Sequence, residues 1–437
     1  MKRAILASVI MTTSLFAQTK LPLTLEKAIE LGLENSKVLH SSQMKVEYAD
    51  AKAGEANAAR LPSLKFIGAY TRFSQVPPAS VGPFPPLLTT PIVLSPTVLN
   101  NYNMKLTLTQ PLFTGFRTDA LSRAADYFAE AQSFEYSKDK SDLVYNIRVA
   151  YWSLYKAMQI KMVLDENVEQ VKAHLKDVQN MMAQGMTTNN DVLKLQVQLS
   201  DVHLKQIDAS NGVQLAMIAL NSTIGIPLTT KVDLESSVVH QPKQYGDLDT
   251  LIAQAMASRP ELKALDSRIK AGEAGVTAAR AGWYPQIYAS GSAYYSRPNA
   301  RIYPTLDLFK ETWDVSVGVS FDVWNWGTTV HQTDQAQAQL AQVKDALREI
   351  QDGISLDLTQ AYLNLQQAKE RISVADQGVR QAEENNRVTS KRFNAGIAST
   401  SDMIDAEVAQ LQAKTSYTNA LVDYELAQAR IAKSIGD

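Results

Sequence analysis

Cysteine is absent from all 437 residues. Such a chain has no disulfide, no thiolate metal site, no catalytic thiol and no thiol to receive a lipid anchor. Long apolar runs are missing as well. Nothing approaches the roughly 18 consecutive apolar residues that a membrane-spanning helix needs. Excess charge of either sign is also lacking, with 43 Lys and Arg against 45 Asp and Glu. No global field therefore recruits nucleic acid or an anionic membrane surface. The five histidines (His40, His174, His203, His240 and His331) are scattered without metal-ligand spacing. No phosphate-binding glycine loop or nucleophile elbow occurs. These absences predict a protein that is not an enzyme and uses no cofactor, metal or nucleic acid. Acidic residues on the helical stretches read as solvated faces.

The first positive feature is an address. Lys2 and Arg3 precede an apolar run from Ala4 to Met11, and small residues lead to a cleavage point after Ala17. Residues 1–17 read as a bacterial secretory signal peptide and are set aside from the fold.

The second feature is that the chain is written twice. Phe113 aligns with Trp324, Ala150-Tyr151-Trp152 with Ala361-Tyr362-Leu363, Gly185 with Gly396, Asp191 with Asp402, and Ile224-Gly225 with Ile435-Gly436, all 211 positions apart. Upstream the offset is 223, pairing Leu61-Pro62 with Tyr284-Pro285. A unit of about two hundred residues is too long for a solenoid repeat and reads as one supersecondary plan used twice. The expected division is a first repeat over 18–225, a connecting segment over 226–246 and a second repeat over 247–437.

Each copy mixes two periodicities. Leu164, Val168, Val171, Leu175, Val178 and Met182 step by 4 and 3, a heptad seam that Val192, Leu195, Leu199 and Val202 resume. Met403, Ala406, Gln410, Ala413, Tyr417, Ala420, Tyr424, Ala427 and Ile431 keep the same spacing in the second copy. From Arg117 to Met181 there is neither proline nor glycine, which allows a rod of about 100 Å. Period-two alternation marks four short strands, expected over about 64–73, 102–112, 286–296 and 313–323. Roughly ten residues of alternation suits an outer-membrane strand and equally a half-buried strand of a soluble sheet. The stretch from Gln75 to Pro96 holds seven of the sixteen prolines and is expected to be an exposed, irregular loop. Four strands cannot close a barrel, and lipid does not tolerate an open edge. If these strands span a membrane, symmetric assembly is required, and three chains would supply twelve.

Taken in order, the Leu61-Pro62 and Tyr284-Pro285 lead-ins, the Gln110-Pro111-Leu112-Phe113-Thr114-Gly115 exit, and the turns Gly185 to Val192 and Gly396 to Met403 resemble the outer membrane efflux protein family of TolC-like channels. The resemblance runs from about Leu23 to Gly436. It implies a mainly α protein with a transmembrane β portion: a homotrimer whose twelve-stranded barrel in the outer membrane continues as an α-helical coiled-coil tunnel through the periplasm. It also implies outer-membrane lipid around the barrel, and a periplasmic adaptor and an inner-membrane transporter as partners in efflux or type I secretion. A periplasmic coiled-coil adaptor or structural protein without a pore is the alternative.

The resemblance further assigns Asp402 and Asp405 to the closed periplasmic entrance, where threefold symmetry gathers a ring of carboxylates. The plainer reading makes Asp402 a helix-terminal acid favoured by the helix dipole and leaves Asp405 solvated. The turns bearing Gly185, Asp191 and Gly396 are the expected adaptor-docking tip, with both glycines serving the turn backbone. In the family an arginine stands at the position of Ala398 and a tyrosine at that of Phe393, so the tethering these supply is not carried over. Tyr70, Tyr102, Tyr294, Tyr295, Tyr303 and Trp313 are candidates for an aromatic belt or for ordinary strand packing. Trp283, Trp324 and Trp326 are expected to pack where strands hand over to helices. The transported substrate is not encoded legibly.

Overall fold

The computed structural model describes residues 21–74, 77–87, 89–95, 97–235 and 245–436. The expected signal peptide, His240 and much of the connecting segment lie outside these residues. The chain opens with β1 (Leu21–Leu23), α1 (Leu25–Asn35), α2 (Lys37–Ala58) and β2 (Ser63–Arg72). A short pair, β3 (Ala79–Val81) and β4 (Ile92–Ser95), precedes β5 (Asn100–Phe113). Then come α3 (Arg117–Ala183), α4 (Asn189–Ile224) and β6 (Val232–Leu234). The order recurs as α5 (Leu248–Ser258), α6 (Pro260–Ala279), β7 (Gln286–Arg297), β8 (Lys310–Ser320), α7 (Thr328–Asn394) and α8 (Thr400–Ile435).

The repeat is kept residue for residue in three of the four helix pairs, while α2 has 22 residues and α6 has 20. α3 and α7 each have 67 residues and α4 and α8 each have 36, with starts 211 apart. α1 and α5, each of 11 residues, start 223 apart. The strand-to-helix junctions repeat as well. Gly115 and Phe116 have φ of 64° and 67°, and their counterparts Trp326 and Gly327 have 52° and 78°. Two successive left-handed residues are needed to swing the chain from strand to helix, and glycine relieves only one of them in each copy.

The chain divides into two compact units. The first comprises residues 1–43, 136–260 and 350–437, the second residues 44–135 and 261–349. In the first unit, Ile147, Tyr151, Leu154, Leu220 and Ile224 are fully buried around Leu23, and the Tyr151 hydroxyl donates to the Leu23 carbonyl at 3.2 Å. Each such burial stabilises by roughly 1.5–3 kcal/mol. β1 pairs in parallel with β6 beside this cluster. The heptad seam is realised further along: Leu164, Val168, Val171 and Val202 form one buried cluster, and Val178, Val192 and Leu195 another. Met182, the last residue expected in the seam, is exposed, because α3 ends one residue later and the chain turns.

The second unit holds a four-stranded antiparallel sheet in the order β2-β5-β7-β8. Its register is informative. Leu64 and Phe66 of β2 stand opposite Leu108 and Leu106 of β5. These face Gly291 and Ala293 of β7, which in turn face Val315 and Trp313 of β8. Trp313, Val315, Val317 and Val319 are 67–77% exposed. The opposite face carries Lys65, Thr107, Ser292 and Asp314 in register, with Thr107 and Ser292 hydroxyls 3.2 Å apart. One continuous face is therefore apolar and exposed, the other polar.

Several expectations change. β8 starts and ends about three residues earlier than the alternation suggested, so Phe321 and Val323 lie beyond it and are exposed. The reason is pairing: Gln286, the first residue of β7, is opposite Ser320, and no partner backbone remains for Phe321. The proline-rich stretch is not wholly irregular, since β3 and β4 pair across it with a register shift. Its described prolines fall between and beside the two short strands, where no ladder N–H is lost. Tyr294 belongs to the polar face, whereas Tyr70, Tyr102, Tyr295 and Trp313 are on the apolar one. Tyr303 lies in the β7–β8 loop and is exposed. Trp283, Trp324 and Trp326 are 56%, 75% and 85% exposed rather than packed, although Trp324 and Trp326 meet edge to face.

The glycine caps generate a prediction. Gly225 closes α4 with φ of 75°, and a Cβ there would stand 2.7 Å from the Asn35 Cβ and 3.0 Å from its carbonyl oxygen. Gly185 has φ of 72° but open space around it. Gly185→Ala should therefore cost about 1 kcal/mol, from backbone conformation alone. Gly225→Ala should cost about 1–3 kcal/mol more, from overpacking. Denaturant unfolding of both variants checks this, and equal losses would contradict it.

Candidate channel entrance at the interhelical turns

The two turns joining α3 to α4 and α7 to α8 have the same construction. Gly185 and Met186 donate their N–H groups to the carbonyls of Met182 and Met181, both at 2.9 Å. Gly396 and Ile397 donate likewise to Phe393 and Arg392, at 2.9 and 2.8 Å. This double closure of a helix C-terminus requires a left-handed residue, which is why glycine stands at both positions. It leaves Met186 and Ile397 projecting at the tips, 71% and 69% exposed.

Each following helix starts with a reciprocal cap. Thr188 is the first cap, and the Asp191 carboxylate accepts from the Thr188 N–H at 3.3 Å and from the Thr187 and Thr188 hydroxyls at 3.0 and 2.6 Å. Ser399 is the second. Its N–H and hydroxyl donate to Asp402 Oδ2, both at 2.8 Å, while the Asp402 N–H donates to Ser399 Oγ at 3.1 Å. Bonds from the Ser399 backbone and hydroxyl, aided by the Arg392 charge, hold the Asp402 carboxyl below its ordinary value. Asp191 is lowered for the same reason, chiefly by the Thr188 hydroxyl.

The two candidate gate residues therefore differ. Asp402 shares its capping duty with Asp191, 211 positions earlier, and both bonds that its carboxylate accepts from Ser399 use one oxygen, Oδ2. Asp405 lies one turn further along the same face, is exposed, and stands where the first copy has Lys194. Lys194 lies 3.8 Å from Asp191 and donates to the Ser401 hydroxyl at 3.2 Å, joining the starts of α4 and α8.

Sequence reasoning missed a third feature. His174 and Glu407 are only 6% and 2% exposed, with Nδ1 and Oε1 3.5 Å apart. Phe393 meets the His174 ring edge to face at 4.8 Å. His174 is thus not a stray histidine, and Glu407 is not on a solvated face. The available signal was positional: both residues flank the heptad seam, where charged side chains pair across a coiled coil. Phe393, which cannot supply the hydroxyl of a tether, instead packs beside Val178, Val192 and Leu195.

The family described as Outer membrane efflux protein matches residues 28–226 and 251–437. Outer membrane efflux protein BepC of Brucella suis is 23% identical, over 94% of this chain and 87% of its own. Alkaline protease secretion protein AprF of Pseudomonas aeruginosa is 22% identical, over 76% and 69%. Among solved structures, the outer membrane protein VceC of Vibrio cholerae superimposes with a TM-score of 0.80 at 17% identity, covering 94% of this chain and 96% of that one.

The capping geometry generates a prediction. Because the Asp402 carboxyl is held low, its contribution is complete above the ordinary value of 3.8 and is lost only as pH falls through the lowered one. Asp402→Ala should therefore lower the protection of the Ser399 amide against deuterium exchange, relative to its intrinsic rate, at neutral pH, and the wild-type protein should lose that protection only in acid. Unchanged protection in the variant would contradict the cap.

Proposed function

The chain belongs to the outer membrane efflux protein family, and on that premise we propose that it is the outer-membrane channel-tunnel of a tripartite efflux pump or type I secretion system. It assembles as a homotrimer and conducts substrates passively from a periplasmic adaptor and an inner-membrane transporter to the exterior. The observation that carries this reading is the sheet. One apolar, exposed face runs across all four strands, and the outer edges of β2 and β8 have no partner among the described residues. In hydrocarbon such edges must be paired, and a second and third copy pair them without remainder. Tyr70, Tyr102 and Tyr295 lie towards the loop end of the apolar face and Trp283, Trp324 and Trp326 towards the helix end, as aromatic residues at two membrane interfaces would.

The helices support the same assembly. On α8, Ile404, Leu411, Val422 and Leu426 share a face and pack against clusters of the first copy. The equivalent face of α4 bears Leu193, Val197, Leu204, Ile207 and Leu215, which are 50–72% exposed. Its natural cover is the second copy of a neighbouring chain. On this reading the repeats 18–225 and 247–437 are quasi-equivalent units, six to a ring, with 226–246 connecting them. The Gly185 and Gly396 turns, with Asp191 at the first, form the tip that meets the adaptor.

Asp402 and Asp405 form the acidic ring of the periplasmic entrance, with Asp405 its main electrostatic contributor because the cap does not engage it. In planar bilayers the wild-type protein should form cation-preferring pores blocked by divalent cations from the entrance side. Asp405→Asn should weaken that block by about tenfold or more. Pores whose block is the same in the variant would remove Asp405 from the gate, and failure of the wild type to form pores would contradict the channel.

A further inference from the structure

The loop between β7 and β8, residues 298–309, does not simply cap the strands. Asn299, only 3% exposed, donates from Nδ2 to the Lys310 carbonyl at 3.0 Å and to the Thr312 hydroxyl at 3.1 Å, and its Oδ1 accepts the Arg301 N–H at 3.0 Å. These bonds turn Arg301 back over the polar face of the sheet. There its guanidinium lies 4.1 Å from the Tyr294 ring centroid and pairs with Asp314. The Lys105 ammonium approaches the same ring at 5.2 Å. The register makes this one cluster, since Tyr294 stands opposite both Lys105 and Thr312, and Asp314 opposite Ser292 on the same face.

The charges do not balance. Two cations share one aromatic ring and one carboxylate. Lys65 and Lys310 also belong to the polar face, whereas Asp314 is the only acid among the polar-face positions of the four strands. The Arg301 side chain remains 43% exposed. A guanidinium held over a ring, with one nitrogen committed to Asp314, keeps further N–H donors for an anion. The cation–π contacts and the Asn299 bonds fix that group in place.

We propose that Lys105, Tyr294 and Arg301, with Asp314 as partial counter-charge, form an anion-binding and selectivity-setting cluster on the pore-lining face of the barrel. This rests on the reading that the sheet lines a pore. The cluster takes carboxylate-, phosphate- or sulfate-bearing solutes, or small inorganic anions, in preference to cations. Its sign is opposite to that of the Asp405 ring, so the channel carries two charge filters of opposite preference. Threefold assembly repeats the cationic excess around one lumen, where fixed charge acts most strongly on permeating ions.

The test uses the full-length protein in planar bilayers under a potassium chloride gradient. Replacing both cations, with Lys105→Gln and Arg301→Gln, should lower the chloride-to-potassium permeability ratio by about twofold or more. Asp314→Asn removes only the counter-charge and should raise the ratio, a change of opposite sign that general damage to the barrel would not produce. Ratios that stay constant, or that move in the same direction in both variants, would overturn the proposal. If Asp405→Asn alters selectivity while the Lys105 and Arg301 double variant does not, the channel reading stands and this proposal falls. Failure of the wild-type protein to form any pore would overturn both.

Discussion

The fold depends on one requirement: backbone N–H and C=O groups cannot be left unpaired in hydrocarbon, where each costs several kcal/mol. The sheet presents an apolar face across four strands, so it belongs in lipid, yet β2 and β8 each leave one side of the ladder open. The chain by itself has no solution to that. On the proposed reading closure comes from other copies, and the same copies cover the apolar face of α4 that is exposed in the single chain. The β edge and the helical stripe lie in different parts of the sequence but make the same demand.

The internal repeat explains how one chain meets that demand with so few kinds of part. Helix lengths, glycine caps and reciprocal helix caps recur at fixed offsets, so each copy repeats the same local geometry. The copies are nevertheless not identical. Asp405 replaces Lys194, the buried His174–Glu407 pair becomes Asn385 and Gln196 at the equivalent positions, and Asp357 accepts from Arg259, Arg430 and Ser434 where the first copy has Asn146. Burial alone would raise the Asp357 carboxyl, but these three donors outweigh it and hold the group low. The ionic residues of the second copy thus clamp the end of α8, where the first copy uses the buried Asn221 amide, which donates to the Leu228 and Thr230 carbonyls at 3.2 and 2.8 Å.

Much of this was legible in the sequence because it rests on period and punctuation. Val168 and Val171 announce a seam, Trp313 to Val319 a strand, and Gly185 and Gly396 a turn, each from local pattern alone. What was not legible depends on pairing between distant segments. The end of β8 is set by where Gln286 begins, not by the alternation that runs on to Phe321. Tyr294 is as aromatic as Tyr295, and only the register decides which of the two belongs to the apolar face. Asp402 was recognisable as an acid at a helix start, but that its Oδ2 is taken up by Ser399 while Asp405 stays unengaged required coordinates. The return of Arg301 onto Asp314 depends on the fold of a loop with no periodicity to read.

The central claim is that the β2 edge of one chain pairs with the β8 edge of the next. Because the protein has no native cysteine, engineered thiols report on that edge without background. The decisive measurement is oxidative cross-linking in outer-membrane fractions, with Gly68→Cys in β2 combined in turn with Val315→Cys, Val317→Cys or Val319→Cys in β8. All of these positions belong to the apolar face. The account predicts that at least one combination yields covalent dimers and trimers on non-reducing gels, collapsing to one band on reduction. Monomer alone at every register, from protein recovered in the membrane, would contradict it.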